Sequence, residues 1–178
     1  MTTSAIPTSD DERFMALALT LADEAAADGD VPVGAVAVFE GVMIGSGRNA
    51  REKRCDPFAH AEMLALAEAA AHLSRWRLTG VTLYATLEPC PMCAGAIVNS
   101  RIDRVVYGCG DPKAGASGSV VDLLAHPALN HRPRVEHGLL AEASSERLKR
   151  FFKARRTQRA KAVAGESSEE FGEMAEPG

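Results

Sequence analysis

Two short motifs constrain the fold more than any other feature of this sequence. His60-Ala-Glu62 stands at the start of one predicted helix and Pro89-Cys-Pro-Met-Cys93 at the start of the next, with 27 residues between Glu62 and Cys90. An imidazole and two thiolates are a typical ligand set for zinc. The amide donors and the dipole of a helix N-terminus also favour thiolate over thiol. We therefore expect the fold to bring these two helix starts together.

The number of ligands in the motifs favours a catalytic site over a structural one. One histidine and two cysteines supply three side chains, whereas zinc prefers four ligands. A structural site closes with a fourth side chain, and a catalytic site leaves that position to water. We predict that His60, Cys90 and Cys93 bind one zinc ion per chain. Taken singly, the cysteines also fit a redox pair or a structural zinc site, and His60 fits a core histidine.

Glu62 is the predicted catalytic residue. In a complete helix it would point about 200° away from His60, but a non-helical start lets both side chains face one pocket. A carboxylate beside a water that the metal activates can take a proton and pass it on. On its own, Glu62 also fits an acid that the helix dipole favours in a first turn.

Helices and strands alternate along the chain, which predicts an α/β fold with parallel strand pairs. The 178 residues are 46% hydrophobic, which suits one globular domain. We assign residues 1–162 to this domain, with a basic C-terminal helix, and residues 163–178 to an acidic, disordered tail. Sequence patterns predict helices at 10–28, 59–72, 89–99, 120–125 and 141 to about 162, and strands at 31–39, 42–44, 81–87, 104–107 and 134–137.

Two observations predict a cytoplasmic protein without membrane contact. The longest stretch free of Asp, Glu, Lys and Arg is the twelve residues 89–100, and a membrane span needs roughly 20 apolar residues. Residues 1–30 contain no basic segment followed by an apolar block, so we expect no secretory signal.

The net charge of −4 hides a strongly basic segment near the C-terminus. Residues 147–161 carry eight Lys and Arg side chains and no acid. Such a segment fits either a solvated helix face or a surface that contacts phosphates. Phe151 and Phe152 lie within it, and we expect both rings to pack in the core.

Several longer segments surround the two zinc motifs. They are Val31-Pro-Val-Gly-Ala-Val, Asp56-Pro57, Ala59-His-Ala-Glu62, Thr82-Leu-Tyr-Ala-Thr-Leu-Glu-Pro-Cys90, Gly115-Ala116, His126-Pro127, Asn130-His131 and Phe151-Phe152. With these segments, the chain resembles the bacterial tRNA-specific adenosine deaminases of the cytidine deaminase-like superfamily over about residues 10 to 160. The zinc motifs alone fit the whole superfamily, whereas the segment from Gly115 to His131 and the basic helix narrow the resemblance to the tRNA-specific deaminases.

This resemblance implies a three-layer α/β/α sandwich with a central mixed five-stranded sheet. It implies a zinc-dependent homodimer that converts the wobble adenosine of a tRNA anticodon, typically of an arginine tRNA, to inosine. Glu62 would then move protons, and Asn49 would contact the flipped base. Asp111 and Lys113 would lie in the loop that approaches the anticodon nucleotides, and the basic helix would lie against the anticodon stem-loop.

Two other functions fit parts of the sequence. A free nucleobase or nucleoside deaminase acting on guanine or cytosine keeps the zinc site but does not need the basic helix. A non-enzymatic RNA-binding protein with a structural zinc requires a fourth side-chain ligand and gives Glu62 no role. We favour the tRNA deaminase, because it gives both the basic helix and Glu62 a role. A base stacked in a duplex could not reach such a site, so we expect an unpaired loop nucleotide as substrate, whose unstacking costs only a few kcal/mol.

Overall fold

The structure, a computed structural model, describes the backbone of residues 9–169 and the side chains of residues 10–161. Helices and strands alternate along most of this length, as the sequence predicted. The elements are α1 (Ser9–Ala27), β1 (Gly34–Phe39), β2 (Val42–Arg48), α2 (Arg51–Arg54), α3 (Ala61–Leu73), β3 (Val81–Leu87), α4 (Pro91–Ser100), β4 (Arg104–Cys109), β5 (Arg134–His137) and α5 (Ala141–Glu169).

The five strands form one mixed sheet in the order β2-β1-β3-β4-β5. Strand β1 is antiparallel to both β2 and β3, whereas β3, β4 and β5 run parallel. The predicted parallel pairs and the mixed five-stranded sheet are therefore confirmed. Because β3 and β4 are parallel, their carboxyl ends meet at one edge of the sheet. Helix α4 and the long β4–β5 loop both begin at this edge.

Side chains of the central strands alternate between two cores, as the two-residue period of a strand requires. In β1, Ala35 and Ala37 join the core that α3 and α4 cover, and Val36 and Val38 join the core that α1 covers. Helix α5 packs against β4 and α1. The sheet thus lies between two helical layers, which confirms the predicted three-layer α/β/α sandwich.

One predicted helix is wrong. Residues 120–125 form bends instead of a helix, with an isolated bridge between Ser117 and Asp122. The N–H groups of Val120 and Val121 donate to the Gly115 carbonyl at 3.1 and 3.3 Å. Both N–H groups are therefore used in hydrogen bonds to the preceding loop. A segment of six residues has only a weak preference for helix, and these hydrogen bonds outweigh it.

Two helices differ from the prediction in other ways. The four-residue α2 was not predicted, since it is too short to show a period. Its N-terminus is held by the buried Asp30, whose carboxylate accepts from the Glu52 and Lys53 N–H groups at 3.0 and 3.1 Å. Helix α5 continues to Glu169, past its predicted end near residue 162. Residues 170–178 of the expected disordered tail lie outside the described residues, so that assignment remains a prediction.

No helix within residues 9–169 is both long enough and apolar enough to cross a lipid bilayer.

Glycines in β2 let α3 lie directly on the sheet. A Cβ at Gly45 would clash with the Ala65 carbonyl oxygen, and a Cβ at Gly47 would clash with the Ala61 carbonyl oxygen. Only glycine permits so close an approach of two backbones. Because Ala61 begins α3, the contact at Gly47 fixes the start of that helix and with it the neighbouring His60.

We predict that Gly47→Ala lowers the free energy of unfolding by about 1–3 kcal/mol, because α3 must move off β2 to admit the methyl group. Urea denaturation measures the loss. Gly95→Ala is the matched control: it lies inside α4, nothing is within 4 Å of its added Cβ, and alanine there gains about 0.5–1 kcal/mol. A Gly47→Ala protein as stable as wild type contradicts the role of this contact.

Candidate active site

Three candidate ligands meet where two helices begin. His60 precedes α3 with an extended backbone (φ −79°, ψ 149°), and Cys90 precedes α4 with a similar one (φ −73°, ψ 172°). Pro91 is the first residue of α4, where its missing N–H leaves no hydrogen bond unmade. Cys93 is the third residue of α4 and is fully buried. The two helix starts therefore come together as the motifs predicted.

The donor atoms are spaced as zinc requires. His60 Nδ1 lies 3.6 Å from Cys90 Sγ and 3.5 Å from Cys93 Sγ. Tetrahedral zinc, with Zn–S of about 2.3 Å and Zn–N of about 2.0 Å, holds a nitrogen and a sulfur about 3.5 Å apart. The three side chains therefore fit one zinc ion. Within the described part of the chain, no fourth His, Cys, Asp or Glu belongs to this cluster of donor atoms.

Hydrogen bonds within the cluster place its negative charge on Cys90. A hydrogen bond from Cys93 is the largest influence on Cys90 and, with the bond to His60, lowers the pKa of Cys90 to about 4 despite burial. The pKa of Cys93 is raised, first by this hydrogen bond to Cys90 and then by burial. The hydrogen bond to Cys90 likewise raises the pKa of His60. The lowered pKa makes Cys90 the thiolate of the cluster, which is the form that zinc binds. The raised pKa values of Cys93 and His60 mean that an incoming zinc ion displaces protons from these two ligands.

Glu62 lies beside the cluster in the first turn of α3 and is only 3% exposed. Burial is the largest influence on its carboxyl group and raises its pKa above the ordinary value. The extended backbone at His60 is the non-helical start that allows Glu62 and His60 to line the same cavity. A buried acid therefore lies next to the metal-binding side chains.

A cavity of about 190 Å³ opens beside these residues. Of the three predicted substrate contacts, Asn49 and Asp111 line it and Lys113 does not. Asn49 is buried, and its side-chain amide donates to the Val31 carbonyl at 3.3 Å. Lys113 is exposed, and its backbone N–H donates to Asp111 Oδ1 at 2.9 Å. The remaining lining residues are Val31, Val33, Arg51, His60, Ala61, Glu62, Leu87, Glu88, Cys90 and Ala114.

Glu88 is a buried carboxylate that the sequence analysis missed. It follows β3 directly and lines the cavity. It accepts hydrogen bonds from the N–H groups of Asp111 at 2.9 Å, Ser117 at 2.9 Å and Ser119 at 3.1 Å, and a further one from the Ser119 hydroxyl. A Cβ at Gly115 would clash with the carboxylate. Glu88 therefore holds the loop of residues 110–119, which includes Asp111, against the end of β3.

A signal for this role was present in the sequence. A glutamate at the carboxyl end of a buried strand needs hydrogen-bond donors, and the Gly- and Ser-rich segment 115–119 offers backbone N–H groups. Burial alone would raise the pKa of Glu88, but the hydrogen bonds from Ser119, Asp111 and Ser117 outweigh it and lower the pKa below the ordinary value. Glu88 is thus ionised at neutral pH, and this charge binds the loop.

A mixed sheet between helical layers, with His-x-Glu and Pro-Cys-x-x-Cys at adjoining helix starts, defines the class of zinc-dependent nucleobase deaminases. The model of the cytidine and deoxycytidylate deaminase zinc-binding region matches residues 8–109. The chain is 46% identical over 149 residues to the tRNA-specific adenosine deaminase of Bacillus subtilis (strain 168), covering 84% of this chain and 92% of that protein. The chain therefore belongs to the cytidine deaminase family and, within it, to the tRNA-specific adenosine deaminases.

Solved structures agree with this assignment. The chain is similar to a protein solved in a study of A-to-I editing by tRNA:A34 deaminases, with a TM-score of 0.74, 43% identity, and coverage of 76% of this chain and 99% of that one. It is also similar to guanine deaminase from Bacillus subtilis, with a TM-score of 0.56, 34% identity, and coverage of 82% and 93%. The sheet and its helices are therefore common to deaminases of RNA and of free bases.

We predict that Glu88→Gln lowers the free energy of unfolding at pH 7 by about 1–3 kcal/mol, because a neutral amide replaces an acceptor of four hydrogen bonds. Since the folded-state pKa of Glu88 is depressed, its stabilisation is present above the unfolded-state pKa of about 4.3 and is lost as pH falls through the folded-state value. Urea denaturation from about pH 3 to 7 should show a difference from wild type that shrinks below about pH 4.

The matched control for Glu88→Gln is Glu146→Gln, at an exposed position on α5, which should change stability by less than about 0.5 kcal/mol at any of these pH values. If the two substitutions have equal effects, or if the effect at Glu88 does not depend on pH, the Glu88 carboxylate does not hold the loop of residues 110–119 in the way described.

Proposed function

We propose that the chain hydrolyses adenosine to inosine at the wobble position of a tRNA anticodon, typically that of an arginine tRNA. The observation that carries this proposal is a cluster of three candidate metal ligands with a buried carboxyl group, that of Glu62, at one cavity. The choice of a tRNA substrate is supported by the relatives of the chain and by its basic helix α5.

In this proposal, His60, Cys90 and Cys93 hold the zinc ion. The bound ion supplies Lewis acidity, which lowers the pKa of a water from 15.7 towards about 7. The zinc-binding family model and the donor spacing both support one ion per chain. Three side-chain ligands instead of four are what the protein would contribute to a catalytic zinc site.

Glu62 moves the protons. Its carboxylate takes a proton from the attacking water, whose oxygen forms a bond to adenine C6, and delivers this proton to N1. It then transfers the remaining water proton to the departing amine, so that the C6–N6 bond breaks, a C6 carbonyl forms and ammonia leaves. Burial of Glu62 supports this role, because few water molecules compete for its proton.

Asn49 and Asp111 orient the nucleotide in the cavity. The Asn49 amide donates one N–H to the Val31 carbonyl, so its side-chain oxygen and its second N–H remain for hydrogen bonds to adenine. Asp111 stands on the loop that Glu88 holds. Lys113 contacts the neighbouring nucleotides from the exposed part of the same loop, outside the cavity.

The far part of α5 is the proposed surface for the anticodon stem-loop. Every described residue from Phe152 to Lys161 is exposed, and Phe152, Arg155, Arg156 and Arg159 line one surface groove. The expectation that both phenylalanines pack in the core is wrong for Phe152, which is 43% exposed. Arg147 and Arg150 form ion pairs with Asp23, so these two of the eight basic residues already have an acidic partner within the chain.

We further propose that the chain acts as a cytoplasmic homodimer. Exposed apolar side chains at Phe58, Val120 and Val121 support self-association. A cytoplasmic location is supported by the proposed tRNA substrate and by the need of Cys90 and Cys93 for a reducing compartment.

The two alternative functions are less well supported. A structural-zinc protein needs a fourth side-chain ligand, and none joins the cluster among the described residues. A guanine or cytosine deaminase shares the fold and the zinc site, but its sequence similarity to this chain is lower, at 34% for the guanine deaminase of Bacillus subtilis. It also gives the exposed basic residues of α5 no role.

The decisive experiment supplies zinc-loaded protein with anticodon stem-loops that carry A, C or G at the wobble position, and with free adenosine, guanine and cytosine. Chromatography of the digested RNA and of the free compounds identifies each product. We expect inosine from the A-containing stem-loop alone. Xanthine from guanine, or uracil from cytosine, without any inosine in RNA would replace this proposal with the free-base alternative.

We predict that Glu62→Ala retains about one zinc per chain but loses deamination by a factor of about 10² or more, because the proton carrier is removed and the ligands are kept. Metal analysis and single-turnover inosine formation measure the two quantities. Glu68→Ala on the same helix is the control, since Glu68 only hydrogen-bonds Ser46 at the surface and its loss should leave turnover near wild type. Wild-type turnover by zinc-loaded Glu62→Ala would exclude the assigned mechanism.

A further inference from the structure

Helix α2 is rich in positive charge and reaches the cavity at Arg51, while Lys53 and Arg54 line a separate cavity beside β2. Its four residues are Arg51-Glu-Lys-Arg54, immediately after Asn49 and Ala50. Arg51 is exposed and also lines the cavity together with His60. It is the single Lys or Arg among the described residues that line this cavity. A positive charge therefore stands at the entrance, next to the proposed reaction site.

The backbone of α2 is held firmly in this position. Asp30 is fully buried and binds the N–H groups of Glu52 and Lys53, and the Arg54 N–H donates to the Ala50 carbonyl at 2.9 Å. The helix ends at Cys55 in the left-handed conformation, whose N–H bonds back to α2. A cation on a fixed backbone loses less entropy on binding an anion than one on a loose loop.

Arg51 and Arg54 differ from their basic neighbours in having no acidic partner. Arg48 forms ion pairs with Glu24 and Asp28, and Lys53 pairs with Asp28 at 2.9 Å. Within residues 10–161, no carboxylate lies within 4 Å of the guanidinium of Arg51 or Arg54. The acids across the cavity do not supply one, because Glu88 and Asp111 accept backbone N–H groups of their own loop.

We propose that Arg51 and Arg54 bind the phosphate groups that flank the reacting nucleotide of an RNA substrate. This inference rests on the proposed function. When a base enters the cavity, its sugar and phosphates remain at the entrance, where Arg51 lies. Arg54 stands three residues further along α2 and therefore on a neighbouring part of the same helix face. Arginine is suited to phosphate, because its planar guanidinium donates two parallel hydrogen bonds.

The same contact contributes to substrate choice. A free nucleobase carries no phosphate, so Arg51 and Arg54 add nothing to its binding. A nucleotide within an RNA chain presents negative charge on both sides, and each ion pair formed releases a counterion. Helix α2 therefore favours polynucleotides over free bases at the reaction site itself, independently of the basic surface of α5.

The first test measures deamination of an A-containing anticodon stem-loop by Arg51→Ala, Arg54→Ala and the double variant. We expect KM to rise about fivefold to tenfold for each single variant with kcat within about twofold, because the lost contact is equally strong in the ground and transition states. The slope of log(kcat/KM) against log[salt] should become shallower by about one for each arginine removed. Arg51→Lys should recover part of the KM loss and the full salt slope.

The second test removes the charge from the RNA. A stem-loop with neutral methylphosphonate linkages on both sides of the target adenosine should raise the KM of the wild-type protein by about the same factor as the double variant. The double variant itself should not distinguish this RNA from the ordinary one. Arg77→Ala is the matched control, because Arg77 is exposed and precedes β3, at the opposite end of that strand from Glu88; its KM and salt slope should stay at wild-type values.

The outcomes separate this inference from the function on which it rests. If the wild-type protein deaminates the stem-loop but the double variant keeps the wild-type KM and salt slope, the α2 contact is overturned and the proposed function stands. The α2 contact is also overturned if the increases in KM caused by the methylphosphonate RNA and by the double variant add to each other. If the wild-type protein forms no inosine in the stem-loop but deaminates a free base, the proposed function fails, and the phosphate contact fails with it.

Discussion

The structure depends on the meeting of two helix N-termini at one edge of a mixed sheet. Strand β3 delivers Cys90, and β2 with its glycines supports the start of α3 at His60. The Sγ and Nδ1 atoms then lie 3.5–3.6 Å apart. The rest of the site lies next to these two helix starts. Glu62 follows His60 in the first turn of α3, and the loop held by Glu88 lines the cavity with Asp111 and Ala114.

The chemical centre was accessible from the sequence because its residues are close in sequence within two motifs. The spacing of His60, Cys90 and Cys93 predicted a three-ligand cluster, and helical and strand patterns predicted nearly all of the sheet. Alternation of apolar residues is a local signal, so β1 and β3 could be predicted from their own residues. The helix boundaries differ by one or two residues in most elements, as fraying of helix ends leads one to expect.

The features that the sequence did not predict are those set by contacts between distant residues. Glu88 binds residues 23 to 31 positions away, and no local period marks such a pair. The same loop contacts prevent a helix at residues 120–125. Helix α2 depends on Asp30, more than 20 positions earlier, and the exposure of Phe152 depends on how far α5 extends beyond the sheet. Lys113 lies outside the cavity because Asp111 turns the loop at that point.

The close contact between β2 and α3 has a consequence for how the protein acquires its metal. The helix is seated by Gly45 and Gly47 and by buried alanines such as Ala65 and Ala69, none of which is a metal ligand. Small zinc fingers, in contrast, spend much of their zinc-binding free energy on folding. In this chain apolar contacts that involve none of the ligands hold the two helix starts together, so we expect zinc binding to supply little of the free energy of folding.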